Sequence, residues 1–238
     1  VAGFNNRVPD ELIVRPSIKR PEDLRGKRFG VQSIGGGGWM GVMLGLESLG
    51  LEPKRDDIRM LVIGDNTVRG QALEAGTIDA TSLDGVFSRK AKAKGFISLA
   101  DFSNANIPIM NHLMAVKKSY LQRQPEIVEN VLRALVQGVA FTWSPKSKNA
   151  VLKSVMRRLR ITDTALAEEG YQELLTRGGL EKRPHPSLEG MRNVQRLMQA
   201  SNPRIGEVKL EDVLDRSLMR KLEDSGFIER MYHLYPAK

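Results

Sequence analysis

Residues Arg28–Gly41 read RFGVQSIGGGGWMG: a short apolar run, four consecutive glycines, then the first turn of a segment with helical spacing. Phe29–Gln32 has the character of a strand. From Trp39 the apolar positions Trp39, Val42, Met43, Leu46 and Leu49 recur at the interval of one helix face, and Gly50 is placed to end the helix. A strand, a glycine turn and a helix together make a standard anion site. The first amides of a helix have no internal acceptor, and the helix dipole adds about half a positive charge there. Glycine lets the backbone approach a ligand with no Cβ in the way. Gly35, Gly36, Gly37 and Gly38 are therefore candidate binding residues. Ser33 adds a hydroxyl beside them, and Trp39 either walls a pocket or enters the core.

The alternation continues on both sides of this loop. Leu12–Val14 is a short extended run stopped by Pro16, and Ile58–Ile63 is a further strand. Gly64-Asp65-Asn66-Thr67 is a turn with good N-cap residues, leading to a helix that stops at Gly76. Thr77–Leu83, a helix over Gly85–Lys94 and a strand at Phe96–Leu99 complete a βαβαβαβ pattern, which predicts a parallel sheet wrapped by helices. His112–Val116 is one more strand, and the remainder is mainly helical. Ile127, Val131, Leu135 and Val139 form an apolar stripe expected to be core. Helices follow at Ala150–Leu159, Thr164–Leu175, Leu188–Met198 and Val213–Leu222. Leu188, Met191, Val194, Leu197 and Met198 are the expected buried face of the third of these.

Composition narrows the function classes. The 238 residues are 41% hydrophobic and 27% charged, the balance of an ordinary globular protein. No window approaches the ~18 uninterrupted apolar residues of a membrane span, and Val1–Arg15 lacks a signal-peptide pattern. A chain opening on Val is compatible with a mature or trimmed product. With no cysteine there is no disulfide, thiolate metal site or Cys nucleophile. His112, His185 and His233 are too scattered for a zinc site, and His185 between two prolines reads as an exposed turn. The net charge of +9 is concentrated in the second half, where residues 111–238 carry 22 Lys and Arg against 15 Asp and Glu. Acids are interspersed and aromatics are only 5%, so the pattern reads as a solvated basic face rather than a nucleic-acid footprint.

Nucleotide readings of the glycine run divide. A P-loop needs GxxxxGK[ST], and no Lys follows these glycines. Gly36-x-Gly38-x-x-Gly41 does match GxGxxG between a strand and a helix, and Asp65 ends the next strand about where a ribose-binding acid belongs. A dinucleotide-binding oxidoreductase domain is therefore the alternative. Against it stand the long approach Val31–Gly35 and the lack of a Tyr-x-x-x-Lys pair or a suitably placed His downstream.

Several segments together resemble one family. Ile18–Val31, IKRPEDLRGKRFGV, resembles the segment that opens the second lobe of type II periplasmic solute-binding proteins. The closest branch serves ABC importers for nitrate, alkanesulfonates, taurine and thiamine-pyrimidine precursors. Gln71–Ala80, QALEAGTIDA, is similar to the family's AL-x-x-G-x-(V/I)-DA; Ala91–Phe96, Leu99–Asp101 and Val213–Ile228 match further motifs in order. The resemblance implies a two-lobed α/β binding protein and not an enzyme. It implies a complete α/β second lobe over residues 23–111 and a partial, helix-rich first lobe over 1–22 and 112–238. The usual opening segment of that first lobe is expected to be missing, which leaves room for a homo-oligomer.

It further implies capture of a small anionic or zwitterionic solute between the lobes, docking on a membrane permease, an extracytoplasmic location and no cofactor. The loop Ser33–Trp39, Asn66, Asp84 and Gly85 are placed at the ligand. Asp84 departs from an anion-binding pattern: it either caps the helix at Gly85 or favours an amine-bearing ligand. Asn111 and His112 fall at the crossing between lobes. A regulatory domain of the same fold would carry a helix-turn-helix, and the family's thiamine-precursor-forming enzyme depends on a cysteine-rich segment; neither feature is present in this sequence.

Overall fold

The computed structural model describes every residue except 103, 104, 106, 177, 178 and 238. The chain divides into two compact units, one formed by Val8–Ile107 and the other by Val1–Arg7 together with Pro108–Lys238.

The Val8–Ile107 unit is a five-stranded sheet in the order β4-β3-β5-β2-β6, with β2 at Asp10–Val14, β3 at Arg28–Val31, β4 at Arg59–Val62, β5 at Ala80–Asp84 and β6 at Ile97–Asp101. β3 pairs in parallel with β4 and β5, as the alternating pattern predicts. β2 runs antiparallel to both β5 and β6, so the sheet is mixed rather than wholly parallel. This differs from the expected division, which places residues 8–22 with the helix-rich part: Asp10–Val14 sits inside this sheet with all five residues buried. Leu12, Ile13 and Val14 are wholly inaccessible, as suits a strand flanked on both edges.

Helices α1 (Gly37–Ser48), α2 (Asn66–Glu74) and α3 (Gly85–Ala93) cover the sheet. Successive strand residues face opposite sides. Ile13 packs with Leu73 of α2, Ala91 of α3, Ile78 and Leu83, and Leu12 meets α1 at Gly45, where a Cβ would stand 3.2 Å from the Leu12 Cβ. Gly41, one turn earlier, is still closer to the sheet: a Cβ there would overlap the Ser82 Oγ and lie 2.8 Å from Asp10 Oδ2. Polar clamps fix the loops. Arg28 donates from Nε and Nη2 to the two carboxylate oxygens of Asp79 at 2.9 Å each, joining β3 to the approach of β5. Asp56 accepts from the Glu52 amide at 2.8 Å, the Arg55 side chain and Arg25 Nε at 3.0 Å, tying the loops before β3 and β4 together.

The other unit holds the two-stranded antiparallel ladder of β1 (Ala2–Asn5) and β7 (His112–Met114). The helices described in it are α4 (Lys118–Arg123), α5 (Pro125–Trp143), α6 (Lys148–Leu159), α7 (Thr164–Leu175), α8 (Leu188–Gln199), α9 (Leu210–Val213), α10 (Ser217–Asp224) and α11 (Phe227–Leu234). Its core joins Ala2 to Val128, Leu132 and Val136 of α5, Leu218, Met219 and Leu222 of α10, and Ile228 of α11. The expected α5 stripe is corrected here. Ile127, Val131 and Leu135 are 48%, 46% and 41% exposed, and the neighbouring stripe Val128, Leu132, Val136, with Val139 and Ala140, is buried. Both stripes obey helical spacing, and partners on α10 and α11 select between them. On α8, Val194 and Leu197 are buried, and Leu188, Met191 and Met198 are half-buried. His185 is half-buried rather than an exposed turn, with Nε2 at 3.0 Å from Glu223 Oε2.

Gly41→Ala should lower the urea midpoint of the α/β unit, at an overpacking cost of about 1–3 kcal/mol. Gly70→Ala, at a helical position with nothing within 4 Å of the added carbon, should raise that midpoint, at a gain of about 0.5–1 kcal/mol in unfolding free energy. The Asp56 carboxyl is held down to about 2 by the Glu52 amide first and the Arg55 side chain next. Its folded value lies below the unfolded one of about 3.9, so its contribution is present above pH 4 and is lost as pH falls through 2. Asp56→Asn should lower Tm at pH 7, and the gap to wild type should close between about pH 4 and 2.

Candidate ligand-binding site

Because β3, β4 and β5 are parallel, their C-terminal ends lie at one edge of the sheet, and α1, α2 and α3 each begin just beyond it. The antiparallel β2 starts at that same edge, with Asp10 opposite Asp84. The glycine loop reaches the edge through a tight turn: the Gly36 amide donates to the Ser33 carbonyl at 3.2 Å, and Gly35 adopts φ +80°, where a side chain is strained. Gly36 is the N-cap of α1 and provides no side chain to cap it. Met40 N–H bonds back to the Gly36 carbonyl at 2.9 Å, which leaves the N–H groups of Gly37, Gly38 and Trp39 as the first-turn donors without intrahelical acceptors.

Asn66, the first residue of α2, donates from Nδ2 to Asp84 Oδ2 at 2.7 Å. Asp84 occupies the N-cap of α3 but makes no side-chain cap bond, so the capping role offered by the sequence is replaced by this link between strand and neighbouring helix. Gly85, behind it, is buried. Asp10 accepts from Ser82 Oγ, and both side chains belong to buried residues. Of the residues singled out from sequence, the glycine loop, Asn66, Asp84 and Gly85 thus lie on the strand-end edge. Ser33 is exposed at the loop. Trp39 is 3% exposed and enters the core rather than walling a pocket.

The structure adds a residue that sequence reading passed over. Arg69, one turn into α2, is 2% exposed. Its Nη2 donates to Asn66 Oδ1, while Nε and Nη1 have no hydrogen-bond partner. The guanidinium lies against Gly38, so that a Cβ at Gly38 would overlap it. Burial pushes its pKa down, with the Asp10, Asp84 and Asp65 carboxylates opposing that shift. The one cue to it in the sequence is the three-residue spacing from Asn66, which places both on one face of α2.

These contacts also account for the GxGxxG match. Gly36 caps α1, Gly38 makes room for Arg69, and Gly41 fits against Ser82 and Asp10. Asp65, the supposed ribose-binding acid, accepts from the amides of Thr67 at 2.9 Å and Val68 at 3.1 Å and so caps α2. The dinucleotide reading is not favoured. Among the described residues no cluster of His, Asp or Glu is arranged to hold a metal ion, and no helix is long and apolar enough to cross a membrane.

The fold recurs among solved structures. A protein of Bordetella bronchiseptica RB50 matches 99% of this chain and 74% of its own, with TM-score 0.73 at 17% identity. The periplasmic aliphatic sulphonate binding protein SsuA of Escherichia coli matches 90% of this chain and 68% of its own, with TM-score 0.61 at 14% identity. The ligand-binding component of an ABC-type import system from Staphylococcus aureus, solved with zinc bound, matches 90% and 71%, with TM-score 0.61 at 11% identity. A desulfurization enzyme, DSZB, shares the fold at TM-score 0.54 and 15% identity over 94% of this chain and 78% of its own. No curated protein matches the sequence. The NMT1/THI5-like family pattern matches residues 1–147. With more than half of its length matched, and with an α/β architecture of the periplasmic-binding-protein type, this chain belongs to the NMT1/THI5-like family.

Proposed function

We propose that this protein is the solute-capturing component of an ABC importer, working outside the cytoplasm and delivering a small organic anion or zwitterion to a membrane permease. The observation that carries the reading is the convergence, on one edge of the α/β unit, of the uncapped N-terminus of α1 with the Asn66–Asp84 pair. The family match and the likeness to SsuA and to the staphylococcal import component support it. The amides of Gly37, Gly38 and Trp39 present partial positive charge to an oxyanion, and the Asp84 carboxylate suits an amine on the same molecule. DSZB is an enzyme of the same fold, so architecture alone does not separate capture from catalysis. No cysteine among the 238 residues supplies a thiolate, and the hydroxyl–carboxylate pair at the strand-end edge, Ser82 and Asp10, is buried beneath α1.

A thermal-shift panel of nitrate, taurine, longer alkanesulfonates, aromatic carboxylates, thiamine-pyrimidine precursors and NAD tests this reading. A solute at 100 times its Kd adds about 2.7 kcal/mol, which raises Tm by about 5–10 °C in a protein of this size. Gly36→Val should abolish that response with the fold retained, because Gly36 has φ −80° and the added carbon meets chiefly the rotatable Ser33 Oγ, 2.5 Å away. An undiminished response in Gly36→Val, or a wild-type response to NAD alone, would overturn the reading.

A further inference from the structure

We propose that α6, with the turn Pro145–Ser147 before it, is an electrostatic docking surface for an anionic lipid bilayer, holding the protein at a membrane without inserting into it. The inference goes beyond the solute-capture reading and does not depend on it, since every residue it uses lies in the helical unit. From Asn130 to Thr162 the sequence has 33 residues with seven Lys and Arg and no Asp or Glu. The rest of the chain holds 30 Lys and Arg against 28 acids, so this one stretch carries seven of the nine net positive charges.

Arg133 is engaged within the fold, bonded to Glu129 and lying over the Phe227 ring. The other six cations fall between Lys146 and Arg160. The neighbouring α7 carries Glu168, Glu169 and Glu173. Glu168 pairs with Lys148, and the other two have partners outside this group. Lys146, Lys153, Arg157, Arg158 and Arg160 are exposed, and among the described residues none of these five forms an ion pair. Lys153 and Arg157 stand one turn apart, on the face of α6 opposite the buried Val151 and Leu152. Asn149, Ala150 and Ser154 are the other exposed residues of that face. Leu159, the exposed large apolar residue of α6, falls in line with Leu152 and Val155 rather than with the cations.

Helix stability does not account for these charges. Cations are disfavoured at the N-terminal end of a helix, where Lys146 and Lys148 stand. Lys153 and Arg157 are a like-charged pair four residues apart, which destabilises a helix. Arg160 ends α6 in the left-handed region at φ 51°, where glycine or asparagine is the ordinary choice. A surface of fixed negative charge offsets all of these. Each Lys or Arg held at an anionic bilayer favours the bound state about fivefold. The apolar side of α6 is already buried in the protein, so the contact is peripheral, unlike that of an interfacial amphipathic helix. No aromatic residue lies between Lys146 and Arg160 to stack on bases, and the face lacks the apolar centre of a protein interface. For a solute carrier, such a contact confines the search for a permease to the membrane plane.

Co-sedimentation of the full chain with vesicles tests the assignment. One set is phosphatidylcholine alone, and the other contains about 30% phosphatidylglycerol, a charge density that attracts basic patches. The wild type should bind the anionic vesicles, leave the neutral ones, and be released when NaCl rises from about 0.05 to 0.5 M, which shortens the screening length about threefold. The triple variant Lys153→Gln/Arg157→Gln/Arg158→Gln should bind about 100-fold more weakly, three charges at about fivefold each. It should melt within a few degrees of wild type, as exposed substitutions do. A control that removes the same charge elsewhere, Lys19→Gln/Lys54→Gln/Lys209→Gln, all exposed positions, should bind like wild type.

Equal binding to neutral vesicles, or no binding to anionic ones at low salt, would overturn the proposal. A control variant as weak as the α6 variant would show that net charge acts without a patch, and would overturn it too. Release of the protein from anionic vesicles by a 20-base-pair duplex at equal phosphate would reassign the surface to nucleic acid. A melting temperature of the α6 variant far below wild type would make its cations structural and overturn their docking role. The thermal-shift response to solutes should persist in the α6 variant, so failure of docking and failure of solute capture are read separately.

Discussion

β2 enters the α/β unit against the direction of its neighbours, and the two acidic residues at its head have to be accommodated inside the protein. Asp10 is 8% and Glu11 is 9% exposed. Each is met by its own partners: Ser82 donates to Asp10, and Ser88 and Lys92 donate to Glu11 at 2.8 Å. Three features of the unit depend on this strand. β6 joins the sheet through β2, the core of α2 and α3 is completed by Ile13, and α1 seats its glycines over Leu12 and the Asp10–Ser82 pair. The cost of burying carboxylates is offset by ionic and hydroxyl hydrogen bonds, and the return is a charged end to the strand at the edge where the helices begin.

That edge combines two opposite electrostatic tendencies. The helix N-termini and Arg69 favour negative charge, and Asp10 and Asp84 favour positive charge. Glycine at positions 36 and 38 shapes this edge in two ways. It brings the backbone amides forward, and it opens the space that a guanidinium fills.

Much of this was legible in the sequence where local chemistry decides the outcome. The bounds Thr164–Leu175 are those of α7, because Asp163 caps the helix and the apolar spacing is unambiguous. The strand–glycine–helix reading of Arg28–Gly41 holds for β3 and α1 for the same reason. Tertiary choices were not legible. Nothing in IVENVLRALV says which of two adjacent apolar stripes on α5 is to be buried, and the partner helices made the choice. The direction of β2 is likewise invisible in five residues. The segment expected as one helix over Val213–Leu222 is two, α9 and α10, because Asp215 accepts from both the amide and the hydroxyl of Ser217 and starts a new helix there. Arg69 escaped notice because a buried arginine and a solvated one are written with the same letter, and only Gly38 opposite distinguishes them.

The two passages of chain between the units run as neighbours. Asn6 accepts from the Ile109 amide at 2.9 Å and Asn5 from the Asn111 amide at 3.0 Å, and β1 pairs Ala2 with Met114. A ladder between residues more than a hundred positions apart carries a large loop-closure entropy if the intervening chain is loose. Once Val8–Ile107 has folded, its own sheet has already drawn those flanking segments in, and the effective loop becomes short. The α/β unit therefore acts as the template on which β1 finds β7, and that ladder closes after the residues between its two strands have folded.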